Sequence, residues 1–276
     1  MGANSKIGWT NHTWNPWTGC QKISPGCEHC YAEAWSKRSG LVKWGPAGTR
    51  KRTSEANWEE PYRWDRAAKK LATPARVFCA SLADFLEDRE ELIPWRADAI
   101  RAMKETRWLQ WMILTKRPEN AEKLLPREWF QCSGPKGNYL WPDNVWIGAT
   151  VESQKYVVPR VHHLMQCPAP VRFLSCEPLL EEVSLRQALG LSIDWVIVGG
   201  ESGPGARPFD VAWGEKIVNE CRDAAVKCFF KQFGSRPYVE DDGARLAVRI
   251  RDEKGEDWTD WPERLKVREI PEGVLI

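Results

Sequence analysis

Six short apolar runs recur along the chain, and each of them ends in polar or glycine residues. Each run is nearly continuously hydrophobic rather than alternating, which is typical of strands buried on both faces of a parallel sheet. A further strand around Thr13–Trp17 would make seven. The six runs are ARVFCASLAD (75–84), LQWMILTKRP (109–118), VWIGATVESQ (145–154), VRFLSCEPLL (171–180), DWVIVGGESG (194–203) and KCFFKQFG (227–234).

Segments with helical periodicity separate these runs. Residues 86–105 and 213–226 each repeat apolar side chains on one helical face, and shorter segments at 118–130 and 178–190 fit one helix each. The alternation of strands and helices predicts an α/β fold. Residues 36–74 and 131–144 are predicted to be loops or small insertions.

The polar ends of the runs favour a TIM-like β/α barrel, complete or partial, over an open doubly wound sheet. Every predicted strand has its own polar ending, and active sites in such barrels are assembled from the carboxyl ends of many strands. An open sheet would concentrate polar residues at one switch point. We therefore predict a barrel over residues 1–234, with a cysteine loop at 18–35 and a basic insertion at 36–74. Residues 235–276 are predicted to form a β-containing extension packed on the barrel.

Length, hydropathy and cysteine content indicate a cytoplasmic protein. The 276 residues contain no run of eighteen apolar residues, so we expect no membrane association. The N-terminal residues lack the apolar segment of a secretory signal. Nine cysteines are an odd number, and a reducing compartment argues against disulfides. Most of the cysteines outside residues 18–35 lie in apolar segments and are expected to be small buried side chains.

The charge is unevenly distributed, although the net charge is only +2. Residues 1–76 contain thirteen Lys/Arg and six Asp/Glu, and the excess is greatest in KRSGLVKWGPAGTRKRT (37–53). This segment is either a phosphate-contacting loop or an ordinary solvated loop. The seventeen tryptophans allow two readings as well: they can stack on nucleic-acid bases, or cover the edges of a core. The second use is the more common.

Three cysteines, Cys20, Cys27 and Cys30, form a C-x6-C-x2-C cluster with a tyrosine directly after the last one. Thiolates are soft ligands that select zinc, copper(I) or iron–sulfur clusters. A structural zinc site needs a fourth protein ligand, for which His12 is a better candidate than His29. A [4Fe–4S] cluster bound by three cysteines instead leaves one iron open for chemistry. Both alternatives are compatible with the spacing.

The order of a three-cysteine loop, Cys-Tyr and an α/β barrel resembles the radical S-adenosylmethionine (SAM) enzymes, which usually have C-x3-C-x2-C. The longer first spacing here matches a narrower group. IGWTNHTWNPWTGCQKISPGCEHCYAE closely resembles the N-terminal signature of a phage-associated, three-cysteine-motif family of uncharacterised proteins that is grouped with radical SAM enzymes. Later stretches resemble that family in the same order: FCASLADF, ILTKRPEN, WIGATVESQ, FLSCEPLL, DWVIVGGESGPGARP, FFKQFG and WPERLKVREIP.

The resemblance implies that Cys20, Cys27 and Cys30 hold a [4Fe–4S] cluster whose fourth iron is chelated by SAM. Reductive cleavage of SAM would then give a 5′-deoxyadenosyl radical that abstracts hydrogen from a substrate. An electron donor such as flavodoxin or ferredoxin is implied. The basic, tryptophan-containing segment and the phage association suggest that the substrate is a nucleic-acid base or nucleotide, for modification or repair. The alternative is a zinc-binding, nucleic-acid-binding protein without redox activity.

Polar residues at the strand ends are the candidate cofactor-binding groups. The resemblance places the SAM amino group at the end of the second strand, where Ser81 and Asp84 are the candidates. Thr150 and Glu152 are candidate ribose contacts. Gly199 and Gly200 would let the backbone approach a ligand closely, and Glu201 could hydrogen-bond a ribose or an amine.

Four charged residues at strand ends are candidate catalytic or substrate-binding groups. Lys116 and Arg117 suit an anionic substrate or the SAM carboxylate. Glu177 and Lys231 complete a polar ring. Each of these strand-end residues also has a structural interpretation, as a strand-end cap or as a member of an ion pair at the barrel rim.

Overall fold

The computed structural model describes residues 2–133 and 138–272 and has a mixed α/β fold. Seven parallel strands form one sheet in which each strand neighbours the next along the chain. They are β1 (His12–Thr13), β2 (Ala75–Cys79), β3 (Leu109–Thr115), β4 (Val145–Thr150), β5 (Arg172–Cys176), β6 (Trp195–Gly199) and β7 (Lys227–Gln232). The sheet curls into a half-barrel, and β1 does not pair with β7 in the described residues. This order is consistent with a partial β/α barrel.

The helices that flank the sheet are α1 (Tyr31–Ser39), α2 (Glu55–Lys70), α3 (Ile93–Glu105), α4 (Ala121–Leu124), α5 (Val157–Met165), α6 (Arg186–Leu189) and α7 (Val211–Asp223). Three of them, α1, α2 and α5, lie outside the segments with helical periodicity. α3 and α7 match the two long periodic segments, whereas α4 and α6 are single turns within the shorter ones. α2 lies within residues 36–74, which were predicted to be loops or small insertions, and it forms there because Trp58 and Trp64 bury one face of a helix that is otherwise polar. α5 was also missed.

Short elements complete the described chain. Among the described helices, no apolar one reaches the length that a membrane span requires. The predicted first strand is shorter than expected, since Trp17–Thr18 leaves the main sheet and pairs antiparallel with Lys51–Arg52. Further short strands are Cys132–Ser133 with Asn138–Tyr139, and Phe209–Asp210 with Pro237–Asp241 and Ala244–Ala247. The 3-10 helices are Pro25–Cys27, Glu90–Leu92, Pro118–Asn120, Arg127–Phe130, Gln154–Tyr156, Trp258–Asp260 and Glu263–Leu265.

An aromatic core is shared by strands of the half-barrel. Side chains from six strands meet there, including those of Phe78, Trp146, Phe173 and Phe229. Gly148 is required by this packing, because a Cβ at that position would lie 2.4 Å from the Phe173 ring. A second, larger core lies between the outer face of the sheet and the helices. The space that is open to a ligand lies at the carboxyl ends of the strands.

The gap between β1 and β7 is covered by the two terminal segments. Trp9 inserts between β2 and β6, with its ring 4.8 Å from that of Phe78 and 6.2 Å from that of Trp195. On the other side, the backbone N–H of Phe230 donates to the carbonyl of Val267 at 2.8 Å. The hydrogen bond to Val267 pairs a backbone group at the outer edge of β7 that would otherwise be unpaired.

Candidate functional site

A cavity of about 830 Å³ opens at the carboxyl ends of the strands. Its lining includes a residue in or just after each of the seven strands, namely Thr13, Ser81, Thr115, Thr150, Ser175, Glu201 and Gln232 in chain order. Of the fourteen residues singled out from the sequence, twelve line this cavity and only Glu152 and Gly199 do not. The structure therefore brings the polar strand ends and the three cysteines together.

The three cysteines lie on one loop that runs from the short strand Trp17–Thr18 to α1. Cys27 ends the 3-10 turn Pro25–Cys27, and Cys30 precedes the first residue of α1. All three thiols are unpaired and partly exposed, and all three line the cavity. Burial, together with the charge of Asp84, raises the pKa of Cys20 to about 12, and burial also raises that of Cys30. In the described residues, no three His, Cys, Asp or Glu side chains surround a point where a single metal ion could bind.

Arg117 fixes the start of the cysteine loop. Its Nη1 donates to Asp84 Oδ2 at 2.8 Å and lies 3.7 Å from the Cys20 thiol, while its Nη2 donates to the carbonyl of Gln21 at 3.0 Å. Asp84 also accepts from the Thr115 hydroxyl at 2.6 Å and from the backbone N–H of Lys116 at 3.0 Å. The side chains of Arg117 and Asp84 are both nearly buried and bind each other. Their arrangement therefore holds the cysteine loop in place, and neither side chain is free to bind a ligand.

Arg207 fixes the second half of the same loop in a matching way. Its guanidinium binds Glu201 through Nε at 2.9 Å and reaches the carbonyl of Pro25 at 2.9 Å and the carboxylate of Glu28 at 3.2 Å. Glu201 Oε2 also lies 3.0 Å from His29 Nδ1. Although burial opposes ionisation, the hydrogen bonds from Arg207 and His29 lower the pKa of Glu201 to about 2.

Neither histidine near the cysteines is available as a simple fourth ligand. His12 stacks on Trp64 with ring centroids 4.4 Å apart, which places its ring against α2 and away from the residues that line the cavity. His29 lines the cavity but is engaged with Glu201. The expectation that His12 could complete a zinc site is therefore not met by its position.

Lys116 is the cationic strand-end group that remains open to a ligand. Its ammonium lies 3.4 Å from the Thr150 hydroxyl and, within the described residues, has no carboxylate partner. Lys231 differs, because it pairs with Glu177 across the cavity. Because the charges of Lys231 and Glu177 neutralise each other, the local positive charge among these strand-end groups comes from Lys116.

Ser81 belongs to a polar network beside the cysteine loop. The Tyr31 hydroxyl donates to the Ser81 carbonyl at 2.8 Å, and Asn15 Nδ2 donates to the Ser81 hydroxyl at 3.0 Å. Asn15 Oδ1 accepts from the backbone N–H of Leu82 at 2.6 Å. This network ties β1, the end of β2 and the first residue of α1 to one another.

The remaining predicted residues serve local packing. A Cβ on Gly200 would lie 2.0 Å from the Phe233 carbonyl oxygen, so this glycine allows two backbone segments to approach each other. Gly199 packs against Gln232, because a Cβ on Gly199 would lie 3.3 Å from the Gln232 side chain. Glu152 is fully buried and pairs with Arg160, while its Oε1 has no partner in the described part of the chain. A Cβ on Gly26 would lie 3.2 Å from that oxygen, so Glu152 packs beneath the cysteine loop.

Sequence reasoning missed three residues that shape the site: Asn15, Trp44 and Arg207. Arg207 lies in the quoted stretch GGESGPGARP, and its position six residues after Glu201 was the available signal. Asn15 had no signal, because its partners are distant in sequence. Trp44 lies in the basic segment 37–53, but nothing in the sequence placed it at the cavity.

Comparison with known proteins identifies a family without assigning an activity. A family model described as a protein of unknown function, DUF5131, matches residues 4–262, so the chain belongs to that family. No curated protein matches the chain. No solved structure matches it either.

Proposed function

We propose that this member of DUF5131 is a radical SAM enzyme that holds a [4Fe–4S] cluster through Cys20, Cys27 and Cys30. One observation carries the proposal: three unpaired cysteines of a single loop and the polar ends of all seven parallel strands line the same cavity. In β/α barrels the carboxyl ends of the strands are where active sites are built. A structural metal would have no need of that position.

The donor set suits an iron–sulfur cluster. Soft thiolates are its protein ligands, and each thiolate of a [4Fe–4S] cluster binds a different iron atom. The three cysteines therefore need not surround one point, as the ligands of a single zinc ion must. When bound, such a cluster would supply the electron that splits the carbon–sulfur bond of SAM to give methionine and a 5′-deoxyadenosyl radical.

The residues of the chain itself would position the reactants and exclude water. Arg117 and Arg207 hold the two halves of the cysteine loop, each against a buried carboxylate. Lys116 is suited to bind the carboxylate of SAM, because its ammonium faces the cavity without an acidic partner in the described residues. The aromatic core of the half-barrel, to which Trp9 and Phe78 belong, contributes these two side chains to the cavity lining, where they would help to exclude water.

The cavity has the size of a small-molecule binding site. Ligand pockets range from about 300 to 1,000 Å³, and this one measures about 830 Å³. We propose that the second reactant is a nucleic-acid base or nucleotide that undergoes modification or repair. Reduction would come from a donor such as flavodoxin or ferredoxin in the cytoplasm. The proposed partial TIM-like barrel, with residues 235–276 as an extension packed on it, is the scaffold.

The test is anaerobic purification with iron, sulfide and zinc analysis, followed by reduction in the presence of SAM. The wild-type chain is expected to be brown and to release 5′-deoxyadenosine. Cys27→Ala should lose both the iron and the SAM cleavage. Cys132→Ala is the matched control, because Cys132 is exposed and does not line the cavity.

Two results would contradict the proposal. A colourless wild-type protein with one zinc and no SAM cleavage would support the alternative, a zinc-binding, nucleic-acid-binding protein without redox activity. Continued SAM cleavage by Cys27→Ala would show that the cluster is held elsewhere.

A further inference from the structure

Residues 43–50, the Trp44 loop, form a tightly fixed turn beside the first cysteine. The backbone N–H of Gly45 donates to the carbonyl of Cys20 at 3.0 Å, and that of Thr49 donates to the carbonyl of Lys43 at 2.9 Å. A Cβ on Gly48 would lie 2.1 Å from the Lys43 carbonyl oxygen, which shows how closely the turn closes. The loop is thus attached directly to the cysteine loop.

A buried ion pair anchors the end of the Trp44 loop. The Arg50 guanidinium donates through Nε and Nη2 to the two carboxylate oxygens of Glu87, each at 2.6 Å, and both side chains are essentially unexposed. Arg50 also donates to the carbonyl of Thr49 at 2.9 Å. A bidentate pair of this kind fixes orientation as well as distance. The loop is therefore a rigid support for the side chain that it presents.

Trp44 itself lines the cavity and is only half-buried. In the described residues its ring has no aromatic or cationic partner, and its indole N–H has no acceptor. Trp9 also lines the cavity, but it is 2% exposed and packs against Phe78 and Trp195. Trp58 and Trp64 of the same basic segment are buried in the core. Of the two tryptophans at the cavity, only Trp44 offers a free face.

Unpaired cations flank Trp44 along the chain. Arg38, Lys43 and Lys51 are exposed and form no ion pair in the described residues, whereas Lys37 pairs with Glu33 and Arg50 with Glu87. Exposed lysine and arginine side chains without carboxylate partners are suited to contact phosphates.

We infer that Trp44 is the platform on which a nucleobase of the substrate stacks, with its phosphates directed toward Arg38, Lys43 and Lys51. The inference rests on the proposed function and names the substrate class of the same cavity. A base stacked on Trp44 would lie beside Cys20, since the two loops share a hydrogen bond. Aromatic rings on rigid supports, flanked by basic groups, are how proteins hold single-stranded bases.

The test measures equilibrium binding to the full chain as purified, whether or not it contains iron. The probes are a fluorescently labelled single-stranded hexanucleotide, a nucleoside monophosphate and S-adenosylhomocysteine. Loss of base–aromatic stacking costs about 1–3 kcal/mol, so Trp44→Ala is expected to weaken nucleotide binding roughly 5- to 150-fold. Trp44→Phe should retain most of the affinity, because phenylalanine also stacks.

Trp258→Ala is the matched control, since Trp258 is an exposed tryptophan that contacts Arg268 and does not line the cavity. It should bind every probe as the wild type does. Lys43→Glu is a second variant that leaves the ring in place. It should weaken hexanucleotide binding, and the difference from the wild type should shrink as salt is raised.

The results distinguish a free nucleotide from a nucleic-acid strand as the ligand. They also distinguish failure of this inference from failure of the proposed function. Comparable affinity for the monophosphate points to a free nucleotide, and binding of the hexanucleotide alone points to a strand; either supports the inference. Unchanged nucleotide binding by Trp44→Ala overturns it, as does a Trp44 dependence seen only with S-adenosylhomocysteine. Nucleotide binding through Trp44 without SAM cleavage would refute the proposed function alone. SAM cleavage without Trp44-dependent nucleotide binding would refute this inference alone.

Discussion

Replacing Arg117 by methionine distinguishes a positioning role from a substrate-binding role for this residue. The substitution keeps most of the side-chain volume but removes the ion pair with Asp84 at 2.8 Å and the hydrogen bond to the Gln21 carbonyl at 3.0 Å. Hydrogen bonds that involve a charged group contribute about 1.5–3 kcal/mol each. Asp84 retains its donors Thr115, Leu86 and Lys116, so its carboxylate is not left without partners.

We therefore expect Arg117→Met to lower the free energy of unfolding by about 3 kcal/mol, the low end of the range for breaking a buried ion pair. For a chain of this size that is a fall in Tm of roughly 6–12 °C. Urea denaturation and thermal melting followed by circular dichroism measure both quantities. The variant should also retain less iron, because the start of the cysteine loop is released.

The matched control is Arg101→Met, which removes an exposed ion pair with Asp98 at 3.3 Å. Such pairs contribute at most about 1 kcal/mol, so the control should change Tm little. If Arg117→Met is as stable as the wild type and loses only ligand affinity, Arg117 is a ligand-binding residue and the positioning argument is refuted.

Three further predictions concern Gly148 in the barrel interior, Glu201 beside Arg207, and Lys116. Gly148→Ala should cost about 1–3 kcal/mol by overpacking against Phe173, whereas Gly190→Ala, whose Cβ would meet no atom closer than 3.8 Å, should not; urea denaturation compares them. Glu201 has a folded-state pKa of about 2, below the ordinary value of 4.5, so it stabilises the fold above pH 4.5 and the contribution is lost as the pH falls toward 2. Glu201→Gln should consequently lower Tm at pH 7, by an amount that shrinks at acidic pH; a constant difference would contradict this. Lys116→Gln should weaken SAM binding in equilibrium dialysis by about tenfold or more without lowering Tm; equal affinity would remove Lys116 from the binding site.

The strands and their convergence could be predicted because both depend on local pattern. Continuous apolar runs with polar endings identified six of the seven strands, and parallel connection brings such endings to one edge of a sheet. α2 was missed because most of its residues are polar, and its buried face became apparent only through Trp58 and Trp64 packing on the core. Composition therefore concealed a helix that tertiary contacts stabilise.

The partners of the charged residues could not be predicted, because they depend on contacts between distant segments. Arg117 was expected to meet a ligand, yet Asp84 and the Gln21 carbonyl occupy it, and both lie more than thirty residues away in the sequence. Arg207 reaches the cysteine loop across an even longer separation. Trp44 follows the same rule, since only the turn closed by Gly48 and the anchor at Arg50 bring its ring to the cavity.

Whether the cysteine loop holds a SAM-binding [4Fe–4S] cluster is tested most directly by electron paramagnetic resonance. The spectrum of the anaerobically purified, dithionite-reduced protein is recorded with and without SAM. The wild-type protein should give the signal of a reduced [4Fe–4S] cluster that changes when SAM is added, because in the proposed site one iron has no protein ligand. No such signal is expected from Cys27→Ala, and an unaltered one is expected from Cys132→Ala. A wild-type protein with no iron–sulfur signal, or with a signal that SAM leaves unchanged, would contradict the assignment of the cysteine loop as the site of a SAM-binding cluster.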